Sequence, residues 1–581
     1  MNPTPPFSAV RDTQHDTWEA IDALGRCLPG YDQVGPPRPD RTVGIFYFLW
    51  LGAHEQDGPR DVSKILVQNP AAMTNPDSPR WGPPHAYHHW GEPLLGYYRT
   101  DDRCVLRKHA QLLCDAGIDM VVFDVTNQLT YRDYYMVLLE EWTVVRNSGG
   151  RTPQVAFLCP FGAPQKVAVE LFNDLYLPGI YPDLWFRWDG KPLLLADPDL
   201  FTDTADTTGQ APPIAQMREF FTFRAPQPSY FEGPKKTNMW SWLEVFPQHL
   251  FCNDRGEKEQ MSVGVAQNAV DGRLGCLSEP GARGRSFTAA GGDRSAEPGA
   301  TARGLNFQEQ FERAIAEDPR LIFVTGWNEW IAGRFNEFNG VRLPVMFVDQ
   351  FDQEHSRDIE PMQGGHGDAY YYQLVSLVRR YKGVRQQPLA GPQRTIDLAG
   401  SFRQWDDILP EYLDDIGDPT QRDHPGYNNH CHYHNNTGRN DLTVLKVAHD
   451  AHYVRFYARC AAAITPRQGD AWMNLLLGTG TGPSWEGFNL LINRTGDATS
   501  SVVERSVGGW TWNSIGRADL RYEGSELMLA LPRALLAPDG AALDFTFKWS
   551  DNVLLASDVM AFYTSGDTAP SARFRYRYRE R

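Results

Sequence analysis

Between residues 41 and 384, short apolar runs alternate with stretches in which apolar residues recur every three or four positions, the pattern of β-strands joined by crossover helices. Eight runs predict strands, at 43–50, 118–124, 155–159, 192–197, 220–223, 239–245, 261–267 and 321–324. The first is apolar throughout instead of alternating, as a parallel strand covered on both faces must be. Between the first two runs, Val105, Leu106, His109, Leu112, Leu113 and Ala116 keep helical spacing until Gly117 stops them. Residues 307–315 and 370–381 read as later helices, the second ending at Gly383. Eight such units predict an α/β fold, a (β/α)8 TIM barrel with its working face at the strand C-termini.

The rhythm changes at 385–392, where Gln, Pro and Gly predict a linker. Beyond it, residues 393–581 carry short alternating runs at 444–447, 453–457, 472–477, 488–492, 527–531 and 545–549, which predict an all-β sandwich. Residues 1–40 precede the barrel as an extension packed on it. Two long insertions, 51–100 and 281–304, follow strand ends and so fall on the face where barrel sites are built.

Composition narrows the partner. Aromatics make up 12% of the chain, with 17 Trp, which favours a ligand offering flat apolar faces, such as a carbohydrate. A net charge of −16 without a basic run argues against nucleic acid and against an anionic membrane surface. No apolar window is long enough to span a bilayer, and the N-terminus lacks the features of a signal peptide. The expectation is a soluble chain, cytoplasmic by default and secreted if a leader has been removed. Eight scattered cysteines without C-x-x-C pairs predict free thiols.

The chemistry concentrates after the last strand, in Thr325-Gly326-Trp327-Asn328-Glu329-Trp330. Glu329 can exchange a proton or stabilise charge at an anomeric carbon, Asn328 can bond hydroxyls, and Trp327 and Trp330 can stack on a pyranose. Glycoside hydrolysis needs a second carboxyl group. Glu244 is the preferred one, because the indoles of Trp240 and Trp242 would keep it protonated. Tyr47, Asp124, Asn127 and Gln267 stand at strand ends as substrate-binding candidates, joined by His89, Trp90 and Glu92 from the first insertion and by Glu360. His85, His88 and His89 lack the companions of a zinc set, so no metal is assigned to the site and no cofactor is required. In the second domain, Asn435, Asn436, Asn440 and Asp441 with Asp414, Asp415 and Asp418 would suit a structural calcium ion, against the alternative of a polar turn.

The Asn328-Glu329-Trp330 motif resembles the N-E-W-x-E-G signature of glycoside hydrolase family 99 and the related WbsX-type glycan proteins. Leu94-Leu95-Gly96-Tyr97-Tyr98, Ala116-Gly117-Ile118-Asp119 and Lys191-Pro192-Leu193-Leu194 add to the resemblance, which covers roughly residues 41–384. It implies that Glu329 assists attack by a sugar 2-hydroxyl, and that the Glu three residues later is the acid/base. Here that later position is Ala332, so the acid must come from elsewhere: from Glu244, or from the insertion carrying Glu337, Asp349, Asp352, Glu354 and Asp358 ahead of Asp358-Ile359-Glu360-Pro361. The second domain resembles carbohydrate-binding module family 9 through its 397–405, 435–441 and 485–488 segments. The leading expectation is a glycoside hydrolase acting on a poly- or oligosaccharide. A non-catalytic glycan-binding protein and a polysaccharide-assembly protein are the alternatives.

Overall fold

The computed structural model describes residues 10–55, 57–203, 212–538, 540–554 and 557–581. Residues 1–9 of the expected N-terminal extension lie outside this range. A mainly parallel sheet organises the first part of the chain. Its strands are β1 (Thr42–Tyr47), β2 (Met120–Asp124), β3 (Gln154–Leu158), β4 (Lys191–Leu195), β5 (Thr222–Phe223), β6 (Ala225–Gln227), β7 (Met239–Ser241), β8 (Lys258–Gly264) and β9 (Leu321–Thr325). The parallel order runs β8-β9-β1-β2-β3-β4-β5, while β6 and β7 pair separately.

Strand residues occur in each of the eight predicted runs, but the backbone ladder curls into an open half-barrel instead of closing. Between β7 and β8 a side chain replaces the ladder: Gln260 Oε1 accepts from Ser241 N at 3.0 Å and Gln260 Nε2 donates to Ser241 O at 2.9 Å. Helices α1 (Arg103–Asp115), α2 (Arg132–Asn147), α3 (Gln165–Leu171), α4 (Ile214–Phe220), α5 (Leu305–Glu317) and α6 (Ala369–Lys382) cover the outer face. Asp102 caps α1 by accepting from Cys104 N. No helix lies between β6 and β7 or between β7 and β8.

Alternation along the strands sorts their side chains into two cores. Phe46, Met120, Val122, Ala156, Leu158, Leu193, Leu195, Trp240, Leu321 and Phe323 pack within the curl. Val43, Ile45, Tyr47, Val121, Phe123, Val155, Phe157, Val263, Ile322 and Val324 pack outward under the helices. Gly44 leaves room for the Met120 side chain, whose Cε a Cβ at this position would meet at 2.7 Å. Inside the curl, Glu259 accepts from Trp188 Nε1, Trp240 Nε1 and both ends of the Arg224 guanidinium at 2.6 to 2.9 Å. A buried charge is thereby paired and fully bonded.

The second part is an eleven-stranded antiparallel sheet that nearly closes on itself. Strand residues occur in all six predicted runs. The hairpin Ser500–Gly508 and Thr511–Glu523, and the short strands Glu411–Leu413, Asp567–Ala569 and Tyr576–Arg579, complete the sheet. The two parts share a buried polar seam: Arg422 Nε donates to Asp102 Oδ2 at 2.6 Å, Ser571 Oγ to Asp115 Oδ2 at 2.6 Å, and Tyr563 OH to Asp368 Oδ2 at 2.8 Å. Trp18 of the N-terminal segment packs on Phe574 and Tyr576. All eight cysteines are free thiols, and among the described residues no helix is long and apolar enough to cross a membrane.

Candidate active site

Glu329 stands four residues beyond the end of β9, with a side chain only 4% exposed. Its Oε2 accepts from Arg357 Nη2 at 2.8 Å, Arg357 Nε at 3.3 Å and Gln350 Nε2 at 2.8 Å. The same Arg357 Nη2 donates to Asp349 Oδ1 at 3.2 Å, and Asp349 is 39% exposed where Arg357 is 1% exposed. The site therefore reaches solvent through Asp349. Arg357 is further held by Asn268 Oδ1 at 3.3 Å and lies 5.7 Å from the centre of the Trp242 ring. Tyr230 packs edge-on against Trp242 at 5.5 Å.

Asp124 ends β2 on the inward-facing side, within electrostatic reach of Asp349 and Arg357. Burial pushes its carboxyl up to about 6, against hydrogen bonds from Thr126 and helped by the charge of Asp349. Burial likewise holds Glu329 well above the usual carboxylate range, with Arg357 opposing and Asp349 and Asp358 assisting. Every bond Glu329 accepts among the described residues falls on Oε2, which leaves Oε1 without a partner among them. One edge of the carboxyl is fixed by an arginine and an amide, and the other is available for proton exchange.

The backing of Glu329 is equally built. Asp358 Oδ1 accepts from Glu329 N, and its Oδ2 accepts from Trp90 Nε1 at 2.6 Å. Trp90 stacks on Trp330 at 4.7 Å with 13° between the planes. Glu360 accepts from Trp330 Nε1 at 2.6 Å, Tyr98 OH at 2.8 Å and His109 Nε2 at 2.9 Å. Burial raises Asp358 to about 7.

Of the expected site residues, Glu329, Asp124 and Trp242 gather around Arg357, and several others are placed elsewhere. Glu244 shares no partner with Glu329: its carboxylate accepts from His249 N and is bonded to His249 Nδ1, both at 2.9 Å. Burial raises it to about 8, so the expected upward shift is present without the expected location. Trp240 is committed to Glu259 inside the curl. Tyr47 belongs to the outward-facing set and bonds His109 Nδ1 at 2.8 Å. Gln267 continues the outward parity of Val263 and Val265 and pairs with Asn306 of α5 at 2.9 Å.

Asn328 is spent on the backbone of Phe48, accepting from its N at 2.8 Å and donating to its O at 3.2 Å. Trp327 is fully buried against His109 and Tyr371, and Trp90, Trp330 and Glu360 form the backing instead of the cleft wall. His89 is wedged between Tyr97 and Tyr427, and burial lowers it to about 3. Glu92 makes a surface ion pair with Lys64 at 2.5 Å. Asn127 donates to Tyr131 OH. Ala332 is buried among Val62, Trp81, Val345 and Phe347.

Arg357, Gln350 and Tyr230 were not singled out in the sequence. Arg357 and Gln350 sit in a segment whose hairpin, Ile331–Phe338 with Val341–Phe347, brings them back over the strand ends. The available signal was an arginine directly beside Asp358, one of two between Glu337 and Asp358.

No family model matches the chain, and no curated protein matches it. Two solved structures of the GH99 endo-α-mannosidase from Bacteroides thetaiotaomicron, one in complex with bis-tris-propane, are similar at 16% identity. They cover 59% and 60% of this chain and 98% and 99% of their own, with TM-scores of 0.33 and 0.34.

Proposed function

We propose that the chain is a glycoside hydrolase acting on a poly- or oligosaccharide, with a (β/α)8-type domain that carries the site and a β-sandwich domain that braces it. One observation carries this reading: a buried carboxyl, Glu329, shares the Arg357 guanidinium with the exposed Asp349 beside the Trp242 ring. Opposed environments of this kind split two carboxyl groups into acid and base. Glu329, raised by burial, supplies the proton to the departing glycosidic oxygen through Oε1. Asp349 acts from the solvent side as the second carboxyl group, and Asp124 is the third within their field. Trp242 offers its face to the C–H side of a sugar ring.

A screen of polysaccharides with product analysis tests the reading, run on the wild type, Glu329→Gln and Asp349→Asn. Each variant should lose roughly 100-fold or more of turnover, the usual worth of a positioned acid or base, while still binding glycan. Turnover by Glu329→Gln close to the wild type would remove Glu329 from the chemistry. The buried Ala332 favours a second reading, a non-catalytic glycan-binding protein. Wild-type binding without cleavage across the whole screen would select it.

A further inference from the structure

We propose that the β-domain binds a structural calcium ion at Asp414, Asp418 and Asp567, and that the ion ties this domain to helix α1. The three side chains are 1%, 6% and 2% exposed, and one oxygen of each lies within 4.8 Å of the others. Two ligands across a calcium ion stand about 5 Å apart, given oxygen distances of about 2.3–2.6 Å. That bound lets all three carboxylates reach a single ion.

The distribution of hydrogen bonds points to a ligand. Asp567 Oδ2 accepts from Leu442 N at 2.7 Å and Asp418 Oδ2 accepts from Gln111 Nε2 at 2.7 Å. Asp418 Oδ1, Asp567 Oδ1 and Asp414 Oδ2 are buried with no partner among the described residues. Protein donors thus fix one oxygen of Asp418 and one of Asp567 and leave the other unsatisfied, a costly arrangement unless a cation is bound there. Neighbouring ammonium groups lie close without bonding the unpartnered oxygens. Lys548 donates to Pro570 O and Phe574 O, and Lys108 stays 4.0 Å from Asp418.

Asp441 stands alongside, with Oδ2 accepting from Gly417 N and Oδ1 unpartnered. A cleft of about 560 Å³ at the seam is lined by Asp418 and Asp441 and gives an ion a route in. Asn435 and Asn440, expected as ligands from the sequence, spend their side-chain oxygens on Thr437 N and Thr465 N instead. Because Gln111 belongs to α1, an ion held on Asp418 braces the two parts of the chain together.

The test uses the full chain, stripped with EGTA and then titrated with Ca2+ or Mg2+ during thermal unfolding. Calcium should raise the Tm progressively with concentration, as binding to the folded state alone requires, and magnesium should do so less. Tb3+ should bind at one equivalent with luminescence sensitised by Tyr576, which lies within the field of Asp414 and Asp418, and calcium should displace it. Asp414→Asn and Asp567→Asn should be more stable than the wild type in EGTA, because each relieves like-charge repulsion, and less stable than it in calcium. An unchanged Tm in calcium together with no Tb3+ binding would overturn the proposal. So would variants whose rank against the wild type does not invert. If neither variant folds, the Tb3+ titration of the wild type decides alone.

Discussion

Replacing Glu360 separates a group that builds the site from one that touches substrate. Its carboxylate is 2% exposed and serves three donors: Trp330 Nε1 at 2.6 Å, Tyr98 OH at 2.8 Å and His109 Nε2 at 2.9 Å. Alanine strands these groups in a dry space and opens a cavity. Each orphaned polar group costs about 1–3 kcal/mol, so the variant should lose about 4 kcal/mol or more. Glutamine should cost no more than about 2 kcal/mol, because its oxygen can serve Trp330 and Tyr98 while its amide donates to His109 Nε2. That exchange requires the imidazole proton to move to Nδ1, where the Tyr47 hydroxyl accepts it. Urea unfolding of the full chain, followed by tryptophan fluorescence, reads the difference as a displaced midpoint at constant slope. An alanine variant within about 1 kcal/mol of the wild type would refute the network, judged against the cost of one lost hydrogen bond. A glutamine variant as damaged as the alanine one would refute the proton shift.

Glu244→Gln should make stability less sensitive to pH. The folded-state value of about 8 lies above the ordinary 4.5, so this carboxyl stabilises fully below pH 4.5 and loses that contribution as pH rises through 8. The Tm advantage of the wild type over the variant should shrink between pH 5 and pH 8, and a constant difference across scans would contradict it. Arg422→Met leaves Asp102, 1% exposed, without its cation and should cost about 3 kcal/mol in urea unfolding, the usual price of breaking a buried pair.

The strand runs were legible because burial on both faces demands continuous apolar sequence, and the turn to an all-β pattern after Pro392 was equally plain. Which end residues point inward was legible too, through parity, but parity has to be applied residue by residue. Tyr47 shares its face with Val43 and Ile45, and Gln267 with Val263 and Val265, so both turn toward helices, while Asp124 shares the inward face of Met120 and Val122. Trp240 and Trp327 drew attention as indoles near carboxylates, yet a buried indole is as well used filling a core. Arg357 could not be read from local pattern, since a hairpin of which it forms no part carries it onto Glu329. Nor could Asp567 be joined to Asp414 and Asp418 without the sheet that brings them together.

The contact of the N-terminal segment with the final strand has a consequence for biosynthesis. Arg577 Nη1 donates to Glu19 Oε1 at 2.6 Å across 558 positions, and Glu19 also bridges the backbone of Arg575. At roughly 5–20 residues per second, the segment leaves the ribosome about half a minute to two minutes before its partner is made. For that interval Trp18 has no Phe574 or Tyr576 to cover it. The half-barrel part therefore emerges with that anchor uncovered, and synthesis of the Tyr576–Arg579 strand is what fastens it.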